Sequence, residues 1–134
     1  MTNTEDRIEA FLSEGPWAVV GASTDRSKYG NKVLRCYLQN GREAFPVHPK
    51  ETEIEGLQAY PNLASLPEKP HGISIITPPH VTAAVVDEAA GLGIRHIWMQ
   101  PGAEGEEALE RAEAAGIEPI AGGPCLLVVL GYRE

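Results

Sequence analysis

Cysteine is scarce in this chain. Only Cys36 and Cys125 occur in 134 residues, too few for a disulfide framework and at no zinc-ligand spacing, so a reducing, cytoplasmic setting is expected. No apolar run approaches the roughly 20 residues that span a bilayer, and the opening stretch MTNTEDRIEAFLSE is too rich in charge to read as a targeting segment. A membrane partner is not expected. Positive charge is also short: 11 Lys and Arg stand against 19 Asp and Glu, for a formal net charge of -8. General nucleic-acid binding needs a basic field across a whole face, so that class is excluded as well. Several motifs of chemistry are missing. There is no Walker loop, no G-x-S-x-G nucleophile elbow, and no H-E-x-x-H among His48, His71, His80 and His96, so neither a metal site nor a serine hydrolase is expected.

What charge there is has been gathered. Six of the eleven basic residues, Arg26, Lys28, Lys32, Arg35, Arg42 and Lys50, fall between positions 26 and 50, where Glu43 is the only acid. A basic island in an acidic chain suits a local anion site, although a solvated basic helix face explains it too. The length fits one domain, residues 1–134, able to bury about two-thirds of its unfolded surface. Residues 1–14 would supply an N-terminal packing helix, with Ile8, Phe11 and Leu12 on one side.

After that helix the pattern alternates. Trp17 to Gly21 is a short continuous apolar run ending in glycine, as buried parallel strands tend to be. Val33, Leu34, Tyr37 and Leu38 follow at helical spacing and stop at Gly41. Ala44 to Val47 predicts a second strand, and the prolines and Gly56 between 51 and 70 predict a short strand, a loop and one helical turn near Leu63. Gly72 to Thr77 is a third strand, and the stripe Val81, Ala84, Val85, Ala89 and Leu92 a second crossover helix behind Pro78-Pro79. Ile94 to Met99 is a strand and Ala103 to Ala115 a helix with Glu104, Glu106 and Glu107 in its first turn. Ile117 to Ala121 reads as a last internal strand, and Leu126 to Leu130 as a final strand or buried tail.

Such alternation predicts an α/β fold: a single Rossmann-like three-layer domain with a mostly parallel sheet and helices on both faces. Right-handed crossovers put every strand's carboxyl end on one edge, where ligands of such sheets bind. The segments assigned to that edge are Gly21 to Gly30, His48 to Lys50, Thr77 to Pro79, Gln100 to Gly102 and Gly122 to Cys125. In the first of them, Gly21, Ala22, Ser23, Thr24, Arg26, Lys28, Tyr29 and Gly30 combine a glycine turn, hydroxyls and a helix N-terminus with two cations, an anion cradle. The dinucleotide fingerprint G-x-G-x-x-G is not met, and a purely structural turn would look similar. After the second strand, where NAD-binding domains place an acid for the ribose hydroxyls, stand His48 and Lys50. That disfavours NAD and leaves NADP and coenzyme A, both with a phosphorylated ribose.

These residues resemble a known family, the small CoA-binding proteins whose Rossmann-like domain is also the N-terminal domain of the succinyl-CoA synthetase alpha subunit. The resemblance runs from Trp17 to Cys125. It rests on Val19 to Ser23 with Lys28-Tyr29-Gly30, on Pro46 to Lys50, on Gly56 with Tyr60-Pro61 and Leu63, on Thr77-Pro78-Pro79 and on Trp98 to Gly102. It implies that Ser23 to Arg26 line a pyrophosphate and that Lys50 meets a phosphate. It also implies that Thr77, Pro78 and Pro79 wall the groove, and that Met99, Gln100 and Gly102 border the thiol end. This chain departs from the small proteins at His48, at His71-Gly72 and at Gly122-Gly123-Pro124-Cys125, the last being closer to the synthetase's turn. The synthetase's phosphorylated histidine lies in a second domain and has no counterpart here.

Chemistry by the chain alone is not expected. Only His48 of the four histidines lies on the ligand edge, and a triad assembled from Ser23, His48 and Asp25 has no supporting motif. Cys125 at that edge could face a bound thiol, though a buried packing role is the commoner one, and Cys36 falls within a helix. Two classes stay open. The favoured one is a binding module for coenzyme A or an acyl-CoA, with a second copy or a partner protein as further associations. The other is a small NADP-dependent oxidoreductase.

Overall fold

A computed structural model describes residues 3–134. Helices α1 (Thr4–Leu12), α2 (Tyr29–Gln39), α3 (Pro79–Gly91), α4 (Glu106–Ala114) and α5 (Leu126–Leu130) alternate with strands β1 (Trp17–Val20), β2 (Ala44–Val47), β3 (Glu53–Ile54), β4 (Leu57–Gln58), β5 (Gly72–Ile75) and β6 (His96–Met99). β3 and β4 form a separate antiparallel hairpin. The other four strands make one parallel sheet in the order β2-β1-β5-β6, so the order reverses between β1 and β5.

The period-2 alternation of each strand sorts its side chains between two layers. Ala18, Val20, Ile73, Ile75, Ile97 and Met99 pack against Ala83, Val86 and Ala89 of α3 and Ala108 and Ala112 of α4. Trp17, Val19 and Trp98 face the other way, onto Phe11 of α1, Val33, Leu34 and Tyr37 of α2 and Leu126 of α5. Small alanines let α3 and α4 lie close to the sheet, while aromatics fill the opposite layer. Phe11 meets Trp98 edge-on at 5.3 Å, and Trp17 stacks on Tyr37 at 5.6 Å. Each fully buried large side chain contributes roughly 1.5–3 kcal/mol, so Phe11 anchors α1 to this layer, with Ile8 and Leu12 packed beside it.

Three expectations change. Ile117 to Ala121 is not a strand but a single parallel bridge, Trp98 to Ile120, because Pro119 has no N–H to extend the ladder and Gly122-Gly123-Pro124 turns the chain away. Leu126–Leu130 is neither strand nor tail. It is a short helix lying on α2, its first N–H held by the Gln100 side chain at 3.0 Å. α4 starts at Glu106 rather than Ala103, since Glu104 folds back to accept from the Gly102 and Gly122 amides at 2.7 and 3.3 Å. No helix among the described residues is long and apolar enough to cross a membrane.

Candidate functional site

The site begins where β1 and β5 part company. The Ile76 amide still bonds the Val20 carbonyl at 2.7 Å, and the Gly21 amide bonds Val47 at 3.2 Å, so three strand ends converge within one residue. Gly21 has φ +99, and a Cβ there would stand 1.9 Å from the Ile76 carbonyl oxygen. Only glycine fits. The loop then folds so tightly that a Cβ on Gly30 would lie 2.0 Å from the Gly21 carbonyl.

Side chains hold this loop from within. Ser23 Oγ accepts from the Asp25 amide at 3.0 Å, and Asp25 accepts from the Ser27 hydroxyl and amide at 2.7 and 2.9 Å. Those Ser27 bonds hold the Asp25 carboxyl below the usual carboxylate range, with the Lys28 charge assisting. Buried Asn31 donates to the Ser23 carbonyl at 2.8 Å and to Glu55 at 3.1 Å. Glu55 also pairs with Arg26 at 3.3 Å. Its delivery is local: Glu55 and Gly56, at φ 51 and 78, form the two-residue turn between β3 and β4.

The basic island thereby divides. Arg26 is held by Glu55, and Lys32 pairs with Glu134 at 3.1 Å. Arg35 is buried, donating to Asn31 and the Arg26 carbonyl and lying over the Tyr132 ring; Arg42 donates to Leu12 and covers Trp17. Lys28 and Lys50 are left exposed with no ion pair among the described residues. Lys28 is the N-cap of α2, and neither its side chain nor any acid in the first turn satisfies that helix start. α3 begins in the same way behind Pro78, with no side-chain cap and no acid. Neither N-terminus is therefore complemented by a side chain or an acid, and both keep partial positive charge on one edge.

Other expected residues fall into place around this start. His48 turns its Nδ1 inward, accepting from the Lys50 and Glu51 amides at 3.0 Å each, so it shapes the turn that carries Lys50. Thr77 shares its hydroxyl with buried Thr82 at 2.7 Å, while Pro78 and Pro79 are exposed. Ala22 is buried and Thr24 exposed. At the β6 end, Met99 and Gln100 are both fully buried. Met99 is core, and the surface there is presented by Pro101 and Gly102.

Gln100 anchors a polar chain that sequence reading missed. Its Oε1 accepts from the Tyr29 hydroxyl and the Leu126 amide, each at 3.0 Å, and its Nε2 faces Ser74, which bonds Tyr37 at 2.7 Å. Tyr29 in turn meets Cys125 Sγ at 2.7 Å. Burial, then the Cys125 contact, raises the Tyr29 phenol well above its ordinary range, so it stays neutral. Cys125 is thus half-buried and tied to the first loop rather than packed away, whereas Cys36 is fully buried and its thiol is pushed up to about 11, chiefly by burial. No three His, Cys, Asp or Glu residues among those described converge as a metal site.

A strand-order reversal, two uncapped helix starts and two open lysines on the same edge suit a phosphate-bearing ligand. A family model described as CoA binding domain matches residues 16–131. The chain belongs to the CoA binding domain family. Among its relatives, ADP-forming acetate-CoA ligase I of Archaeoglobus fulgidus is 28% identical over 119 residues, which cover 81% of this chain and 17% of the ligase. The chain therefore spans about a sixth of that enzyme. A conserved hypothetical protein from Pyrococcus furiosus has the same fold at TM-score 0.80 and 41% identity, covering 85% of this chain and 97% of that one. The dinucleotide forming acetyl-coenzyme A synthetase 1 of Ca. Korarchaeum cryptofilum matches at TM-score 0.72 and 30% identity, over 84% of this chain and 27% of the synthetase. The same fold thus makes up nearly all of one solved chain and about a quarter of another.

Proposed function

We propose that this protein binds coenzyme A along the carboxyl edge of its sheet and acts as a binding module rather than a complete enzyme. The observation that carries the reading is the pair Lys28, at the uncapped start of α2, and Lys50, past the end of β2, both left open while the other four cations of the island are engaged. Lys50, just past β2, would meet the ribose phosphate, and the loop from Ser23 to Lys28 with the first turn of α2 would cradle the pyrophosphate. The pantetheine arm would then run over Thr77, Pro78 and Pro79 toward Pro101 and Gly102. Family membership and the likeness to acetate-CoA ligases support this direction. The Tyr29, Gln100 and Cys125 chain would keep the loops of the thiol end in register with the phosphate end.

Titration calorimetry with coenzyme A, desulfo-coenzyme A and NADP tests the reading. Binding of the first two with no NADP signal supports it. NADP binding without a coenzyme A signal would replace it with the oxidoreductase reading.

A further inference from the structure

A groove of about 630 Å³ lies beyond the segment 117–122 that bridges to β6, between that segment, α4 and the start of α1, and none of the residues assigned to the nucleotide lines it. Its volume lies within the range of small-molecule sites. Leu109, Ile117, Pro119 and Ala121 give it an apolar lining, and Glu104 and Gly122 line it as well. Those two follow β6 and the segment bridged to it, so they lie at the carboxyl edge. Glu104 accepts from the Gly102 amide at 2.7 Å and from the Gly122 amide at 3.3 Å, joining the loop after β6 directly to the groove.

Direction follows from charge. The open lysines lie at the β2 and β1 end of the edge, so a long ligand anchored there by its phosphates extends its other end toward β6. We infer that the groove receives the acyl group of an acyl thioester whose coenzyme A portion lies on that edge, and that it accepts neutral hydrocarbon acyl groups over those ending in a carboxylate. This rests on the coenzyme A reading. The selectivity comes from the walls: Glu104, Glu113 and Glu118 line the groove against one cation, Arg7, which is engaged by Glu118 at 2.9 Å and by the Pro119 carbonyl at 2.9 Å. A terminal carboxylate would enter an already acidic site with no open cation to meet it. A hydrocarbon chain packs on Leu109, Ile117, Pro119 and Ala121 and brings no charge to the carboxylates.

Calorimetry with coenzyme A and its acetyl, butyryl, hexanoyl and succinyl thioesters, on the native chain and on Leu109→Asp, tests the inference. Leu109 is 37% exposed, so the substitution leaves the core intact, which a melting curve verifies. Affinity is expected to rise about threefold per buried methylene, close to the full transfer value. Succinyl-CoA should bind about tenfold more weakly than butyryl-CoA, and Leu109→Asp should erase the chain-length gain while leaving coenzyme A itself unchanged. Equal affinities for coenzyme A and hexanoyl-CoA would overturn the groove assignment and leave the coenzyme A reading standing. A chain-length gain that survives in Leu109→Asp would also overturn it, by placing the acyl group elsewhere. Succinyl-CoA binding as tightly as butyryl-CoA would overturn the selectivity, and no binding of any of these compounds would overturn both readings together.

Discussion

The two edges of the sheet treat positive groups in opposite ways. At the amino edge, donors are taken up by carbonyls at the ends of helices. Arg42 bonds Leu12 at 2.9 Å, Trp17 Nε1 bonds Phe11 at 2.9 Å and His71 meets Ala10 at 2.8 Å, all at the end of α1. Lys69 reaches Gly93 just beyond α3 at 3.3 Å, and Arg95 reaches Ala115 and Gly116 beyond α4 at 3.1 and 2.7 Å. Each places a donor on the negative end of a helix dipole, where it stabilises. At the carboxyl edge, α2 and α3 start without side-chain caps or first-turn acids, and Lys28 and Lys50 stay open. α4, by contrast, is already complemented by Glu106 and Glu107, and the start of α5 by the Gln100 side chain. One edge is closed by the fold, and the other keeps two helix starts without side-chain caps or first-turn acids and two lysines without an ion pair among the described residues.

Substitutions on the two edges should therefore separate stability from binding. The largest effect is expected from Gly30→Ala, at the carboxyl edge. Alanine is the better helix former by about 1 kcal/mol, which alone would stabilise α2. The new Cβ would stand 2.0 Å from the Gly21 carbonyl, a backbone atom that cannot swing aside, and overpacking of this kind costs about 3 kcal/mol. Overpacking wins, so chemical denaturation should show a loss and calorimetry a broken loop; an unchanged midpoint would reject the tight-loop account. Arg42→Ala comes next. It removes a charged hydrogen bond and the cover over Trp17 and should lower stability by about 1.5 kcal/mol with ligand affinity intact. Lys50→Ala is its mirror image. It should weaken coenzyme A about fivefold, as one exposed charge pair would, leave dephospho-coenzyme A unaffected and leave the melting temperature in place. A melting shift with Lys50→Ala, or an affinity loss with Arg42→Ala, would dissolve the contrast between the edges.

Which edge would be open was legible early, but which cations would be open was not. The four sheet strands stood out because each is a short apolar run bounded by glycine, proline or polar residues, and their order in the chain sufficed to gather the loops on one side. The fate of the basic island depended on distant partners: Glu55 for Arg26, Glu134 for Lys32, Leu12 for Arg42 and Tyr132 for Arg35. Leu126–Leu130 is apolar and β-branched enough to suit a strand, and the Gln100 side chain, 26 residues earlier, starts it as a helix. Tyr29 and Cys125 are 96 residues apart, so no local pattern could join them. Met99 and Gln100 look like surface residues because they end a strand. The bridge from Trp98 to Ile120 continues the sheet over them, and the Met99 amide bonds Ile120 at 2.8 Å.

The smallest expected effect tests the closed edge by pH. His96, at the amino end of β6, stacks on His71 with ring centroids 4.3 Å apart. Burial holds its pKa below the ordinary histidine value of 6.5, with the His71 and Arg95 charges acting in the same direction and Glu14 opposing them. The unfolded chain therefore takes up a proton at His96 before the folded chain does. Stability from this residue is complete above about pH 6.5 and is lost as pH falls through the lower, folded value. Melting temperatures of the native chain and His96→Gln, measured from pH 8 to pH 5, should run parallel above 6.5. Below it the native curve should fall more steeply. Affinity for coenzyme A should not share that fall, because the stack lies at the opposite end of the strands from Lys28 and Lys50. Parallel melting curves over the whole range would show that the amino edge carries no such proton linkage.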